Sequence, residues 1–118
     1  MISGAHVVIY AHDAEVARRF FRDVLGFHAV DAGQGWLIFA LPAAELAVHP
    51  ADAAGSGRHE LYLMCDDVRQ TVATLQRKGV EFTSSVTDRG WGLLTRLKIP
   101  GGDEIGLYEP RHARPPRA

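Results

Sequence analysis

Two stretches of this chain read as copies of one another. His6-Val7-Val8-Ile9-Tyr10-Ala11-His12-Asp13 and Glu60-Leu61-Tyr62-Leu63-Met64-Cys65-Asp66-Asp67 are each an alternating apolar run closing on an aspartate, and each leads into a helix-like segment ending in glycine, Gly26 or Gly79. The offset is 54 residues between His6 and Glu60, 53 between the two glycines, and 55 between Gly35-Trp36 and Gly90-Trp91. An offset this constant is the mark of a duplicated unit. Neither copy is long enough to bury its own apolar face, so the two must pack together, and the cleft they share is the natural place for a ligand.

Each copy predicts a strand, a helix and three further strands. In the first, residues 5–11 alternate with period two, Asp13 is placed to cap a helix, and Val16, Phe20 and Val24 recur at helical spacing before Gly26 stops it. In the second, Asp67 with Gln70 three residues on forms a capping box, Val68, Val72 and Leu75 make the apolar stripe, and Gly79 supplies the left-handed stop. Strands are expected near 27–32, 35–41 and 45–50, and again near 80–87, 91–98 and 103–109, with Pro100-Gly101-Gly102-Asp103 turning between the last two. The first module therefore spans residues 5–50 and the second 59–110. Residues 51–58, small and glycine-bearing, link them, and the proline-rich, basic stretch 111–118 reads as a frayed tail.

Composition narrows the function classes. At 118 residues and 47 % hydrophobic, the chain makes one ordinary domain with a real core. No apolar run approaches the roughly 18 residues of a membrane span, and the first residues lack a basic region and signal core, so a cytoplasmic protein with no membrane contact is expected. A net charge of -1 gives no field to attract a polyanion, which argues against nucleic acid. Cys65 is the single cysteine, excluding an internal disulfide and a thiolate metal cluster, and its phase with Leu61 and Leu63 makes it a small buried hydrophobe. Phosphate-loop, nucleophile-elbow and Cys-x-x-Cys motifs are missing.

His6 at the first strand, Asp13 seven residues later, Phe21 and Leu25-Gly26-Phe27, repeated at the 54-residue offset with Pro100-Gly101-Gly102 before the last strand, resemble the vicinal oxygen chelate superfamily. That group contains glyoxalase I, extradiol dioxygenases, fosfomycin-resistance enzymes and bleomycin-binding proteins. The resemblance covers about residues 5–110. It implies an α+β fold in which tandem βαβββ modules form a cupped mixed sheet with flanking helices, often closed by dimerisation, with small-molecule chemistry inside. In metal-dependent members a divalent ion is held by one side chain from the first and one from the last strand of each module. Carried over, those positions are His6, Ala47, Glu60 and Gly106. His6 matches the usual histidine and Glu60 can coordinate through oxygen, whereas Ala47 and Gly106 offer no donor. Two protein ligands would hold Ni, Zn, Mn or Fe only weakly.

Strand phase assigns the remaining candidates. His6, Val8 and Tyr10 share one face, as do Glu60, Tyr62 and Met64, while Val7, Ile9, Leu61 and Leu63 turn to the helices. Glu45 and His49 fall on the face of Ala47, and Glu104 and Tyr108 on that of Gly106, each about 7 Å along the strand from the family's ligand position. A shifted metal site of His6, His49 and Glu60 is thus one alternative. Trp36 and Trp91 fall in phase with core residues, and Arg96, on the opposite phase, is either directed into the cup to bind an anionic group or a charge on its rim.

Two function classes follow. The first is a metal-independent binding protein, working as a homodimer, that encloses a small organic ligand among Tyr10, Phe39, Tyr62, Met64, Arg96 and Tyr108. The missing metal ligands favour it. The second is a metal-dependent lyase, isomerase or dioxygenase using His6, Glu60 and His49. A metal-free variant would use Glu60 as a general base raised by apolar surroundings.

Overall fold

The computed structural model, which describes residues 5–116, follows the predicted element order in the second half of the chain, except that the strand expected near 80–87 is reduced to Thr87–Asp88 at its end and an isolated bridge between Phe82 and Leu97. A strand β3 (Tyr62–Met64) leads into helix α2 (Val68–Arg77), and β4 (Thr87–Asp88), β5 (Gly92–Lys98) and β6 (Glu104–Pro110) follow. The first half supplies α1 (Ala14–Arg19) and the short hairpin β1 (Ala29–Asp31) and β2 (Leu37–Phe39). In the four-stranded sheet the order is β3-β6-β5-β4. β3 runs parallel to β6 with Tyr62 opposite Gly106 and Met64 opposite Tyr108, and β5 runs antiparallel to β6 with Leu94 opposite Tyr108 and Arg96 opposite Gly106. The parallel pair needs a crossover, which α2 begins.

α2 is fixed at both ends. The Asp67 carboxylate accepts from the Gln70 amide at 3.1 Å, and the Glu109 carboxylate accepts from the Val68 amide at 3.1 Å, tying the helix start to the end of β6. Its predicted stripe turns inward, with Val68 and Leu75 buried and Val72 packed beside them. In α1 the Asp13 cap is also made, to the Val16 amide at 3.2 Å. The stripe there differs from the expected Val16, Phe20 and Val24, because the helix widens over Phe20–Val24 and the Leu25 amide reaches back five residues to the Phe20 carbonyl at 3.1 Å. A widened turn rotates the following side chains, so two consecutive residues, Phe20 and Phe21, both face inward. Their rings pack edge to face at 5.6 Å, and Phe21 also meets Phe27 at 6.1 Å and Phe39 at 5.9 Å.

One core results. Leu97, Ile99, Ile105 and Leu107 from one face of the sheet, Val68 and Leu75 from α2, and Ala17, Phe20 and Phe21 from the first half form a single buried cluster. The halves are also stitched through the turn before β6. The Asp13 amide donates to the Gly101 carbonyl at 2.8 Å, and a Cβ at Gly101 would stand 2.6 Å from the Asp13 carbonyl oxygen. With φ at +77° as well, that position accepts only glycine.

The structure is less regular than the tandem pattern in the first half. Residues 5–11 and 45–50, expected as strands, have no sheet partner among the described residues. An extended run becomes a strand only when a neighbour takes its amides and carbonyls, and here Leu46 and Val48 stay about nine-tenths exposed. Thr95, the one buried polar side chain among the described residues, donates to the Ser84 carbonyl at 2.8 Å and so carries no unsatisfied group into the core.

Leu97 has no exposed surface, so Leu97→Ala is expected to lower unfolding free energy by about 2–5 kcal/mol with an unchanged urea slope. Gly101→Ala combines the clash with a strained φ and should cost at least ~2 kcal/mol in the same measurement.

Candidate functional site

The face of the sheet turned away from both helices carries the side chains that alternate with the core: Tyr62 and Met64 of β3, Glu104 and Tyr108 of β6, and Leu94 and Arg96 of β5. Two of its rings lie on glycines. A Cβ built at Gly106 would meet Tyr62 Cδ1 at 2.1 Å, and one at Gly92 would meet Tyr108 Cδ2 at 2.9 Å. The missing side chains are what let both rings settle flat on the backbone of the neighbouring strand. Tyr62 packs edge-on to Tyr108 at 6.1 Å, and Tyr108 edge-on to Trp91 at 5.2 Å, so the rings form a continuous row.

Polar groups tie this row down. The Tyr62 hydroxyl donates to Glu60 Oε2 at 2.6 Å, and Arg58 Nη2 stands 3.3 Å from Glu60 Oε1. Arg96 places its guanidinium 5.9 Å from the Tyr62 ring centroid and its Nε 2.7 Å from Glu104 Oε1. Hydrogen bonds from Thr83 and Arg96 hold the Glu104 carboxyl below the usual range. The hydrogen bond to the Glu60 carboxylate, with burial and the carboxylate charge, raises the Tyr62 phenol. Burial, then the Glu45 charge, raises Tyr108 against the opposing Arg114. Both phenols are therefore neutral donors at physiological pH, and neither is a base. Burial also raises the Cys65 thiol, which disfavours the nucleophilic thiolate.

The predicted site residues fall into two groups. Tyr62, Met64, Arg96 and Tyr108 lie together on this face, with Glu60 bonded to Tyr62. Phe39 packs against Phe21 at the core, and Tyr10 is 89 % exposed with no ring contact among the described residues. His6 is exposed, and His49 turns its Nδ1 to the Pro50 carbonyl at 2.7 Å. Among the described residues, no group of three or more histidine, cysteine, aspartate or glutamate side chains is gathered to hold a metal ion. The donor set explains why: Ala47 and Gly106 contribute nothing, the Tyr62 ring covers Gly106, and Glu60 already serves Tyr62 and Arg58.

Trp91 joins the row against the phase argument that put it in the core; it is 42 % exposed. Trp36 is exposed too, beneath the Arg18 guanidinium at 4.8 Å. Each tryptophan stands one residue before its strand begins, where alternation no longer governs which way a side chain points. His112 was also missed: its Nε2 lies 3.0 Å from the Tyr108 hydroxyl. Two open depressions lie elsewhere, one of about 420 Å³ lined by Val72, Phe82 and Thr95, the other of about 430 Å³ between α1 and the β1–β2 turn.

Comparison with known proteins is decisive for family. The sequence model of the Glyoxalase/Bleomycin resistance protein/Dioxygenase superfamily matches residues 4–107. The chain belongs to that superfamily. TnmS3 from Streptomyces sp. CB03234, described as an antibiotic binding protein, is 28 % identical, superimposes with a TM-score of 0.63, and is covered over 99 % of its length by 93 % of this chain. Lactoylglutathione lyase from Agrobacterium tumefaciens, at 20 % identity and a TM-score of 0.66 over 91 % of this chain and 92 % of that one, shares the fold. The uncharacterized protein YetH of Bacillus subtilis (strain 168) is 27 % identical over 87 % of this chain and 94 % of its own length. The α+β architecture expected from the sequence is that of these superfamily members. No helix among the described residues is long and apolar enough to cross a membrane.

Because the phenols of Tyr62 and Tyr108 are raised, the proton is held more tightly folded than unfolded. Their contribution to stability is present below the ordinary tyrosine range and declines as pH rises through the folded values. Ultraviolet titration should find phenols that ionise later than free tyrosine, and Tyr62→Phe should remove one late transition.

Proposed function

We propose that the protein binds a small, planar organic molecule on the Trp91, Tyr108 and Tyr62 face and holds it without a metal, as a cytosolic homodimer. The observation that carries this reading is the Tyr62 ring lying on Gly106. Where metal-using members of the superfamily would place a ligand side chain, this chain has a glycine with an aromatic surface above it, and the nearby carboxylate is engaged by that ring's hydroxyl. Aromatic rings with Arg96 and Glu104 at their margin suit a flat molecule that stacks and carries one or two polar substituents. The likeness to an antibiotic binding protein at 28 % identity supports the same direction.

The second reading, a metal-dependent lyase, isomerase or dioxygenase, rests on the retention of His6 and Glu60. It requires Glu60 to leave both Tyr62 and Arg58, and it finds no donor at Ala47 or Gly106, so we place it behind the first. The homodimer is supported by apolar residues on unpaired segments, with Tyr10, Leu46 and Val48 all about nine-tenths exposed.

A thermal-shift screen with planar aromatic compounds should give stabilisation that grows with ligand concentration. Tyr108→Ala should weaken the best ligand about tenfold, equivalent to ~1.4 kcal/mol, measured against that variant's own ligand-free unfolding curve. No stabilisation by any aromatic class would overturn the binding reading. Sedimentation should give twice the chain mass, and Val48→Arg should return it to the monomer.

A further inference from the structure

Residues 111–116 contain no large apolar side chain, yet they lie against the aromatic face. The Arg111 amide donates to the Trp91 carbonyl at 2.8 Å, which fixes the start of the segment at the end of the β5–β6 pair. The His112 ring then lies 5.9 Å from the Tyr108 ring at 32°. His112 Nδ1 sits 2.8 Å from the Ala113 carbonyl oxygen, which calls for Nδ1–H, so Nε2 is left to accept from the Tyr108 hydroxyl. Arg114 pairs with Glu45, and the other Glu45 oxygen stands 3.9 Å from His112 Nε2.

Glu45 is the anchor on the far side. Its side chain is only 19 % exposed although its neighbours Leu46 and Val48 are about nine-tenths exposed. It is therefore sheltered by its partners in the tail and not by the segment it belongs to. The contacts crossing between residue 45 and the tail are ionic or polar, and interactions of this kind near water are individually weak. A segment held only by a few of them opens far more readily than the sheet beneath it.

We propose that residues 111–116 form a strap closing over Tyr108, with Glu45 as its latch, and that a ligand reaches Tyr108 when the strap lifts. The hinge is the Arg111 amide on Trp91. Pro115 and Pro116 keep the end of the strap stiff, so it swings as a unit and does not collapse into the cup. The gating role rests on the binding reading; the existence of the strap does not.

Hydrogen exchange of the C-terminal peptide, with acrylamide quenching of Trp91 in a Trp36→Phe background, reads the strap without any ligand. Glu45→Gln and Arg114→Ala should each speed exchange of the Arg111 amide, the tail amide bonded to the sheet, about threefold and make Trp91 easier to quench, leaving the β5 and β6 peptides unchanged. The double reversal, Glu45→Arg with Arg114→Glu, should restore the slow exchange. Unchanged tail exchange in both single variants, or a parent tail exchanging as an unprotected chain, would overturn the proposal. With the aromatic dye anilinonaphthalene sulfonate as probe, the single variants should bind faster than the parent. Equal association rates in parent and variants would contradict gating. Tail exchange that responds to Glu45 in a protein that never binds the dye supports the strap and counts against the binding reading alone.

Discussion

The contact between the Tyr62 ring and the backbone of Gly106 decides what the inner face of this sheet can be. It follows from register: parallel pairing sets Tyr62 directly opposite Gly106, and a side chain there would stand 2.1 Å from the ring. Once the ring lies flat, its hydroxyl reaches Glu60, its edge meets Tyr108, and its face lies under Arg96. A single glycine thus converts the place of a possible ligand side chain into part of an aromatic floor. Tyr108 repeats the arrangement over Gly92 one strand further along.

Much of this was legible in the sequence because the signals were periodic. The caps at Asp13 and Asp67 formed as expected, the α2 stripe of Val68, Val72 and Leu75 turned to the core, and alternation put Tyr62, Met64, Arg96 and Tyr108 on one face. The glycine at 106 was readable as a lost donor, but not as a seat for Tyr62, since that depends on inter-strand register. Trp36 and Trp91 escaped because they lie just outside their strands, where period-two reasoning ends. The widened turn at Phe20 has no periodic signature either. The position of the tail depends on Glu45, 69 residues before Arg114, a long-range ion pair that no local pattern encodes.

The duplication is unequal in its outcome. The second copy supplies α2 and all four strands of the larger sheet, while the first contributes α1 and a separate short hairpin and leaves residues 5–11 and 45–50 without sheet partners among the described residues. The two are joined by the buried cluster and by Gly101 against Asp13. Most of the sheet and of the aromatic face thus comes from the second half.

We propose that an aromatic ring stands where metal-using members of the superfamily place a ligand side chain. Equilibrium dialysis of the purified chain against Ni, Zn, Mn and Fe ions tests it most directly. The account predicts no stoichiometric retention of any of them. Retention of one ion per chain, lost in both His6→Ala and Glu60→Ala, would contradict it.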